Sequence, residues 1–254
     1  MELITPDWPA PDWVRACSTT RVGGVSRGPF ASLNLGDHVG DDPGHVARNR
    51  DLLCSNLGLP AAPMWLRQVH GCEVARAECP VAAIPEADAA VATSPGVVCA
   101  VMTADCLPLL LCDEQGTRVA AVHAGWRGLA GGVLERAVAA MVVAPERLLA
   151  WMGPAIGPDA FEVGSEVRST FVTEYPETAA AFRPSRNQAR GERWLTDLFE
   201  LARFRLARLG IGRVYGGGDC TFSQPRRFFS YRRDGTTGRL ASLIWLVPND
   251  SHGS

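Results

Sequence analysis

The 254-residue sequence predicts an α+β fold of mixed α/β character: a single layered domain whose mixed sheets are flanked by helices. Three observations carry that prediction. Short apolar runs bounded by turn signals read as buried strands. Stretches with helical periodicity recur between them, and the two kinds follow one another without the strict alternation of a βαβ fold.

Taken in order, the first element is announced by "GDDPGHVARNR" (40–50), a turn leading into a capped helix. "VVCAVMT" (97–103), "LPLLLCD" (107–113) and "RVAAVHA" (118–124) are the strand candidates, with "DEQG" as the turn between the last two. "HAGWRGLAGG" (123–132) leaves a strand and enters a helix, but its glycines lack the G-x-G-x-x-G spacing of a Rossmann turn. The helix continues through "GGVLERAVAAMVV" (131–143). A later helix, "TDLFELARFRLARLG" (196–210), has Thr196 as the expected N-cap, an apolar stripe through Leu198, Leu201, Ala202, Leu206 and Leu209, and Gly210 as its stop. "RFFSYRRDGTTGRLASLIWLV" (227–247) reads as two strands around a "DGTTG" turn. With no repeat, low-complexity segment or linker, one domain is expected over 1–248, followed by a polar tail at 249–254 that contains His252.

Composition then removes function classes. Acids and bases nearly cancel, at a net charge of −2, so no nucleic-acid partner is expected, although the C-terminal third is locally arginine-rich. No apolar run approaches the ~18 residues of a membrane span, and the opening "MELITPDWPAPDWVRAC" lacks a signal-peptide pattern, so a cytoplasmic protein without a membrane partner is expected. All 25 basic residues are arginine. Without lysine there is no Schiff base, no P-loop lysine and no kinase strand lysine, and any phosphate must be held by guanidinium forks, backbone N–H groups or a metal. Genome base composition is an equally good source of that bias. The eight cysteines include no C-x-x-C pair, and Cys17, Cys54, Cys99 and Cys112 are expected to be reduced, buried hydrophobes.

Chemistry is expected where strands end. His70 in "WLRQVHG" and His123 in "AAVHAGWRG" sit beside apolar runs, and between them Cys106, next to the charged Asp105, interrupts "MTADCLPLLL". His70, Cys106 and His123 suit a zinc site with an open fourth position. Cys106 and His123 equally suit a metal-free thiolate–imidazole pair, as in cysteine hydrolases.

Five ordered motifs, "TTRVGGVSRGPFASLNLGDHVGDDP", "RQVHG", "TADCLPLLL", "AVHAGWRG" and "FFSYRRDGTTGR", resemble the YfiH-like family. That family is variously described as polyphenol oxidoreductase or laccase, peptidoglycan-editing factor and zinc-dependent purine nucleoside phosphorylase. The resemblance runs from about Ser18 to Trp245. It implies a single α/β domain and a zinc centre on His70, Cys106 and His123. It also implies phosphorolysis of adenosine, inosine, guanosine and methylthioadenosine, and deamination of adenosine.

Five histidines in the whole chain cannot furnish the roughly ten that a multicopper oxidase needs, which leaves copper the weaker case. "HGCE" departs from the H-x-E signature of cytidine-type deaminases, which leaves Asp105 and Glu73 as proton-shuttle candidates beside the catalytic Cys106 and His123. Candidate substrate residues are Asn34, His38 and Arg48, with Asp41 and Asp42 on the same rim, together with Arg127, Tyr231 and Arg232, with Arg233 as the alternative to Arg232. Arg127 is the favoured phosphate ligand, on the expectation of a helix N-terminus beside it. Gly125 and Gly128 are expected to let the backbone turn close to a ligand, and Trp126, Phe228 and Phe229 to pack. The partners expected are a purine nucleoside and phosphate, on a monomer. The competing readings are a metal-free Cys-His hydrolase acting on peptidoglycan precursors and a non-catalytic nucleoside-binding protein.

Overall fold

A computed structural model describes residues 1–77, 83–186 and 191–248; the polar tail and His252 lie outside the described residues. In chain order its elements begin with β1 (Leu3–Ile4), β2 (Val14–Thr19), α1 (Pro43–Leu57), β3 (Val74–Arg76), β4 (Ala89–Ala92), β5 (Val98–Thr103), β6 (Leu107–Asp113) and β7 (Val119–Ala124). There follow α2 (Trp126–Gly131), α3 (Val133–Met141), β8 (Leu148–Met152), β9 (Glu162–Gly164), α4 (Ser165–Glu174) and β10 (Phe182–Pro184). The last are β11 (Arg193–Thr196), α5 (Leu198–Arg208), β12 (Arg213–Gly216), α6 (Tyr231–Asp234) and β13 (Leu240–Leu246).

These strands form three sheets, of order β1-β2-β13-β5, β10-β11-β9 and β12-β8-β6-β7-β4-β3. The first two are antiparallel throughout; the six-stranded sheet is parallel at its outermost pairs and antiparallel between them. Side-chain alternation explains why they stack. Leu107, Leu109 and Leu111 of β6 join a core cluster with residues of α2, α3 and α5, whereas Leu110 and Cys112 join one with Val101 of β5 and Ile244 of β13. On β13 the next residues along, Leu243 and Trp245, pack instead with Leu53 of α1. The layers are therefore α1, the four-stranded sheet, the six-stranded sheet and the helices α2 to α5. A strand buried on both faces has no solvent side, which is why 107–112 reads as an unbroken apolar run.

Several sequence expectations need correction. Thr196 ends β11 and does not cap α5; the neighbouring Asp197 carboxylate, a stronger acceptor, receives the N–H groups of Phe199 and Glu200. "FFSYRR" is not a strand. Phe228 and Phe229 are fully buried, but the Ser230 hydroxyl accepts the Arg233 N–H and starts the single-turn α6, leaving only β13 after the "DGTTG" turn. Gly132, at φ 92°, divides the long predicted helix into α2 and α3. Burial pushes the thiols of Cys17, Cys99 and Cys112 up to about 12, as expected of inert hydrophobes, but Cys54 is only half-buried. No helix among the described residues is long and apolar enough to cross a membrane.

Candidate active site and metal centre

Two loops and the end of β7 converge beside the central strands β6 and β7 of the six-stranded sheet. The segment carrying His70 is tied to β5 by Gln68, whose amide donates to the Met102 carbonyl and accepts the Met102 N–H, at 2.8 and 2.7 Å. His70 itself stands at φ 59°, a left-handed conformation that a non-glycine residue adopts only when its surroundings enforce it. The enforcing group is Asp88, at the entrance to β4. Its Oδ1 accepts the His70 N–H at 2.9 Å, and its Oδ2 accepts those of Gly71 and Val69 at 2.7 and 3.2 Å. The same carboxylate accepts His123 Nδ1 at 2.7 Å, and the Asp88 carbonyl accepts the His123 N–H at 2.7 Å. One fully buried acid thus sets the backbone of one histidine and the ring of the other.

Cys106 arrives from the opposite side, on the short turn between β5 and β6. Asp105 shapes that turn at φ 95°. Its Oδ1 accepts the Thr221 hydroxyl at 2.6 Å, its Oδ2 accepts the Arg232 N–H at 2.7 Å, and its carbonyl accepts the Ile156 N–H at 2.9 Å. Asp105 therefore clamps the Cys106 turn to α6. Gly125, after β7, closes the arrangement: a Cβ there would lie 2.9 Å from Cys106 Sγ and 3.4 Å from His70 Cδ2, so any side chain would intrude on the cluster. The clearance that Gly125 gives is towards Cys106 and His70. Gly128 likewise leaves room for the Gly71 carbonyl, 3.2 Å from where its Cβ would stand.

The ligating atoms of His70, Cys106 and His123 all lie within 4.8 Å of one another. Cys106 Sγ is 3.8 Å from His70 Nε2, and the two imidazoles meet edge to face with centroids 4.8 Å apart. Burial alone would push the Cys106 thiol up, but His123 and His70 beside it bring it down to about 6. Burial would likewise lower His123, but Cys106 and Asp88 raise it to about 9. Two nitrogens, one sulfur and an open side match a zinc site that keeps a position for substrate or water. With Nδ1 engaged by Asp88, Nε2 of His123 is left to ligate, the outer carboxylate fixing the tautomer.

A cavity of about 510 Å³ opens over the cluster. Of the predicted substrate residues, His38, Arg127, Tyr231 and Arg232 line it, as does Asp105. Arg127 lies over the Trp126 ring at 4.4 Å, and Arg232 donates to the Glu162 carbonyl at 2.7 Å. The α2 that follows Gly125 is a six-residue helix, so Arg127 is offered by a short turn and not by a long helix dipole. Asn34 does not reach the pocket. It is fully buried, and its amide is committed to Gly36, Asp41 and the Arg239 N–H. Arg48 stands on an exposed face of α1 outside the pocket, Asp42 caps α1, and Asp41 accepts from Ser26 and Asn34. Arg233 spends its guanidinium on the carbonyls of Thr221, Phe222 and Phe228 and on Asp234. Glu73 pairs with Arg136 on the surface and does not line the pocket.

Sequence reasoning missed Asp88, Gln68 and Arg239. The signal for Asp88 was present in "EADAAVA", a charge entering an apolar strand, the same argument that singled out Asp105. Arg239 offered none, because it is the last letter of a turn motif. It lines the pocket half-buried, and burial lowers its pKa.

Residues 15–247 match the family model described as multi-copper polyphenol oxidoreductase laccase. A Pseudomonas aeruginosa protein named purine nucleoside phosphorylase is 56% identical over 243 residues, covering 96% of this chain and 98% of its own. An Escherichia coli protein named purine nucleoside phosphorylase YfiH is 53% identical over 246 residues, covering 97% and 99%. Among solved structures, a Neisseria meningitidis protein of the DUF152 family superposes with a TM-score of 0.93 at 52% identity, covering 98% of this chain and 100% of its own.

Proposed function

The chain belongs to the multi-copper polyphenol oxidoreductase laccase family, the YfiH-like family of the sequence motifs, and from that premise we propose a zinc-dependent purine nucleoside phosphorylase with adenosine deaminase activity. Its substrates under this reading are adenosine, inosine, guanosine and methylthioadenosine. The observation that carries it is the His70, Cys106 and His123 donor set at the floor of an open pocket. Zinc held there would act as a Lewis acid and lower the pKa of a bound water.

The chain's own residues do the rest. Asp88 keeps His123 oriented, and Gly125 leaves the room in which Cys106 and His70 approach. Trp126 and Phe161 line the pocket beneath the Arg127 and Arg232 guanidinium groups, and the pocket arginines orient phosphate towards the anomeric carbon of the sugar. Asp105, with both oxygens already accepting, acts as a clamp in this reading and not as the proton shuttle. Among the described residues only His38, His70 and His123 of the histidines line the pocket, too few for a multicopper centre, so zinc is preferred to copper. The reading includes a monomer in the cytoplasm with no nucleic-acid or membrane partner.

One observation favours a second reading. With its thiol drawn down and His123 drawn up, the Cys106–His123 pair has the polarity of a metal-free thiolate nucleophile, suited to hydrolysis of peptidoglycan precursors. Elemental analysis of the purified protein, with chromatography of products from adenosine with and without phosphate, separates the readings. The phosphorylase reading expects one zinc per chain, with ribose 1-phosphate and adenine appearing only with phosphate and inosine appearing without it. Protein without zinc whose activity survives chelation overturns it, and binding of adenosine without turnover identifies a nucleoside-binding protein.

A further inference from the structure

Three arginines line the pocket over the metal cluster, and their surroundings differ. Arg127 is exposed and, among the described residues, held only by the Trp126 ring. Arg232 is exposed and spends one nitrogen on the Glu162 carbonyl. Arg239 is half-buried and the most firmly built in. Its N–H donates to Asn34 Oδ1 at 2.8 Å, and its carbonyl accepts the Leu35 N–H at 3.2 Å. Its stem passes against Gly36, where a Cβ would stand 2.7 Å from Arg239 Cγ. At its head, Nη1 donates to the carbonyls of Thr237 and Gly238, both at 3.1 Å.

That leaves a guanidinium with no ion-pair partner in contact, on whose charge Cys106 and Asp105 act only from farther off. Among the described residues no carboxylate lies within ion-pair distance of Arg239, and its Nε and Nη2 have no protein partner. A partly buried charge is costly unless it is paired, and the fold has oriented this one at both ends of its side chain. The one pocket acid, Asp105, is already engaged by Thr221 and Arg232. Nε and Nη2 form the edge of the guanidinium that grips two oxygens of an oxyanion side by side.

We propose that Arg239 anchors an oxyanion subsite that takes inorganic phosphate beside the metal cluster, with Arg232 and Arg127 as its more exposed flanks. Asn34, buried behind the pocket, is the positioning residue for that anchor. The phosphorylase reading enters this proposal only in naming phosphate as the anion; the subsite itself follows from the unpaired guanidinium.

The test is calorimetric titration of the protein as isolated, and of Arg239→Gln, Arg239→Lys and Arg127→Gln, with inorganic phosphate, adenosine and adenosine 5′-monophosphate. Arg239→Gln should weaken phosphate binding about tenfold or more, the loss of a charge-assisted bidentate contact, while adenosine binding stays within about twofold. Arg239→Lys, which keeps the stem and the charge but not the fork, should lose several-fold, and Arg127→Gln less than either. Phosphate should also slow modification of Arg239 by phenylglyoxal in the unaltered protein, a measurement that stands even if both variants fail to fold. Unchanged phosphate binding in Arg239→Gln, equal loss of adenosine and phosphate, weakening of the nucleotide alone, or modification indifferent to phosphate each overturns the proposal. Phosphate binding at Arg239 without phosphorolysis would instead refute the phosphorylase reading and keep the subsite.

Discussion

Asp88→Asn tests the organisation of the site most directly, because one atom changes in a group that makes four side-chain hydrogen bonds. Oδ1 accepts from His70 N and His123 Nδ1, and Oδ2 from Gly71 N and Val69 N. In asparagine one of those positions becomes an NH₂ group facing two donors, so two N–H groups lose their acceptor whichever way the amide turns. The amide can turn its NH₂ towards the Gly71 and Val69 N–H groups, which are only partly buried, so the metal-free protein should lose about 1–3 kcal/mol. Zinc affinity should fall roughly 10- to 100-fold, because His123 would lose the carboxylate that orients it and raises its basicity.

The pH dependence carries a sign that can be checked. Burial pushes the Asp88 carboxyl up, but the hydrogen bonds from His123 and from the Gly71 and Val69 backbone outweigh it and hold it below the ordinary value. A carboxyl depressed on folding contributes its stability above the unfolded pKa, about 4, and loses it as pH falls through the folded value. The unaltered protein should therefore lose stability below about pH 4 by a term that Asp88→Asn lacks. Urea melts of chelated protein at pH 7 and at acid pH give the first quantity, and competition with a chromophoric chelator gives the second. A variant as stable as the parent at pH 7, with the same zinc affinity, would refute the assignment of Asp88 as organiser.

Three further outcomes are expected. Gly125→Ala places a methyl 2.9 Å from Cys106 Sγ and should lower zinc affinity in chelator competition while costing only about 1–3 kcal/mol of stability in a urea melt; an affinity equal to the parent's would show that the cluster yields. In chelated protein, alkylation of Cys106 followed by peptide mass spectrometry should rise through about pH 6, whereas Cys17, Cys99 and Cys112, pushed up to about 12, stay unlabelled until the chain unfolds. A midpoint for Cys106 at an ordinary thiol value would remove the case for His123 and His70 acting on it. Leu110→Ala, at a fully buried position between the two larger sheets, should cost about 2–5 kcal/mol in the same melts and leave zinc content unchanged.

By itself the sequence determined the buried strands at 97–124, the two amphipathic helices and the mixed class, because local periodicity records which faces meet the core. It also singled out the members of the cluster: His70, Cys106 and His123 stand beside apolar runs where an imidazole or thiol has no packing purpose. Which of these groups meet, and what holds them, was decided by the tertiary structure. Asp88 is 35 positions from His123 in sequence yet bonds to its ring, and Arg239 lines the pocket from the turn that leads into β13, a strand of a different sheet. Asn34 and Arg48 belong to a promising motif, but one turned inward to brace Arg239 and the other outward to solvent. "FFSYRR" has the apolar and polar residues of a strand end, yet Ser230 and Asp105 together capture its N–H groups as a helical turn. The physical reason is common to all four. Hydrophobic pattern is written residue by residue, whereas the partner of a buried charge or hydrogen-bond donor is supplied by whichever distant segment packs against it.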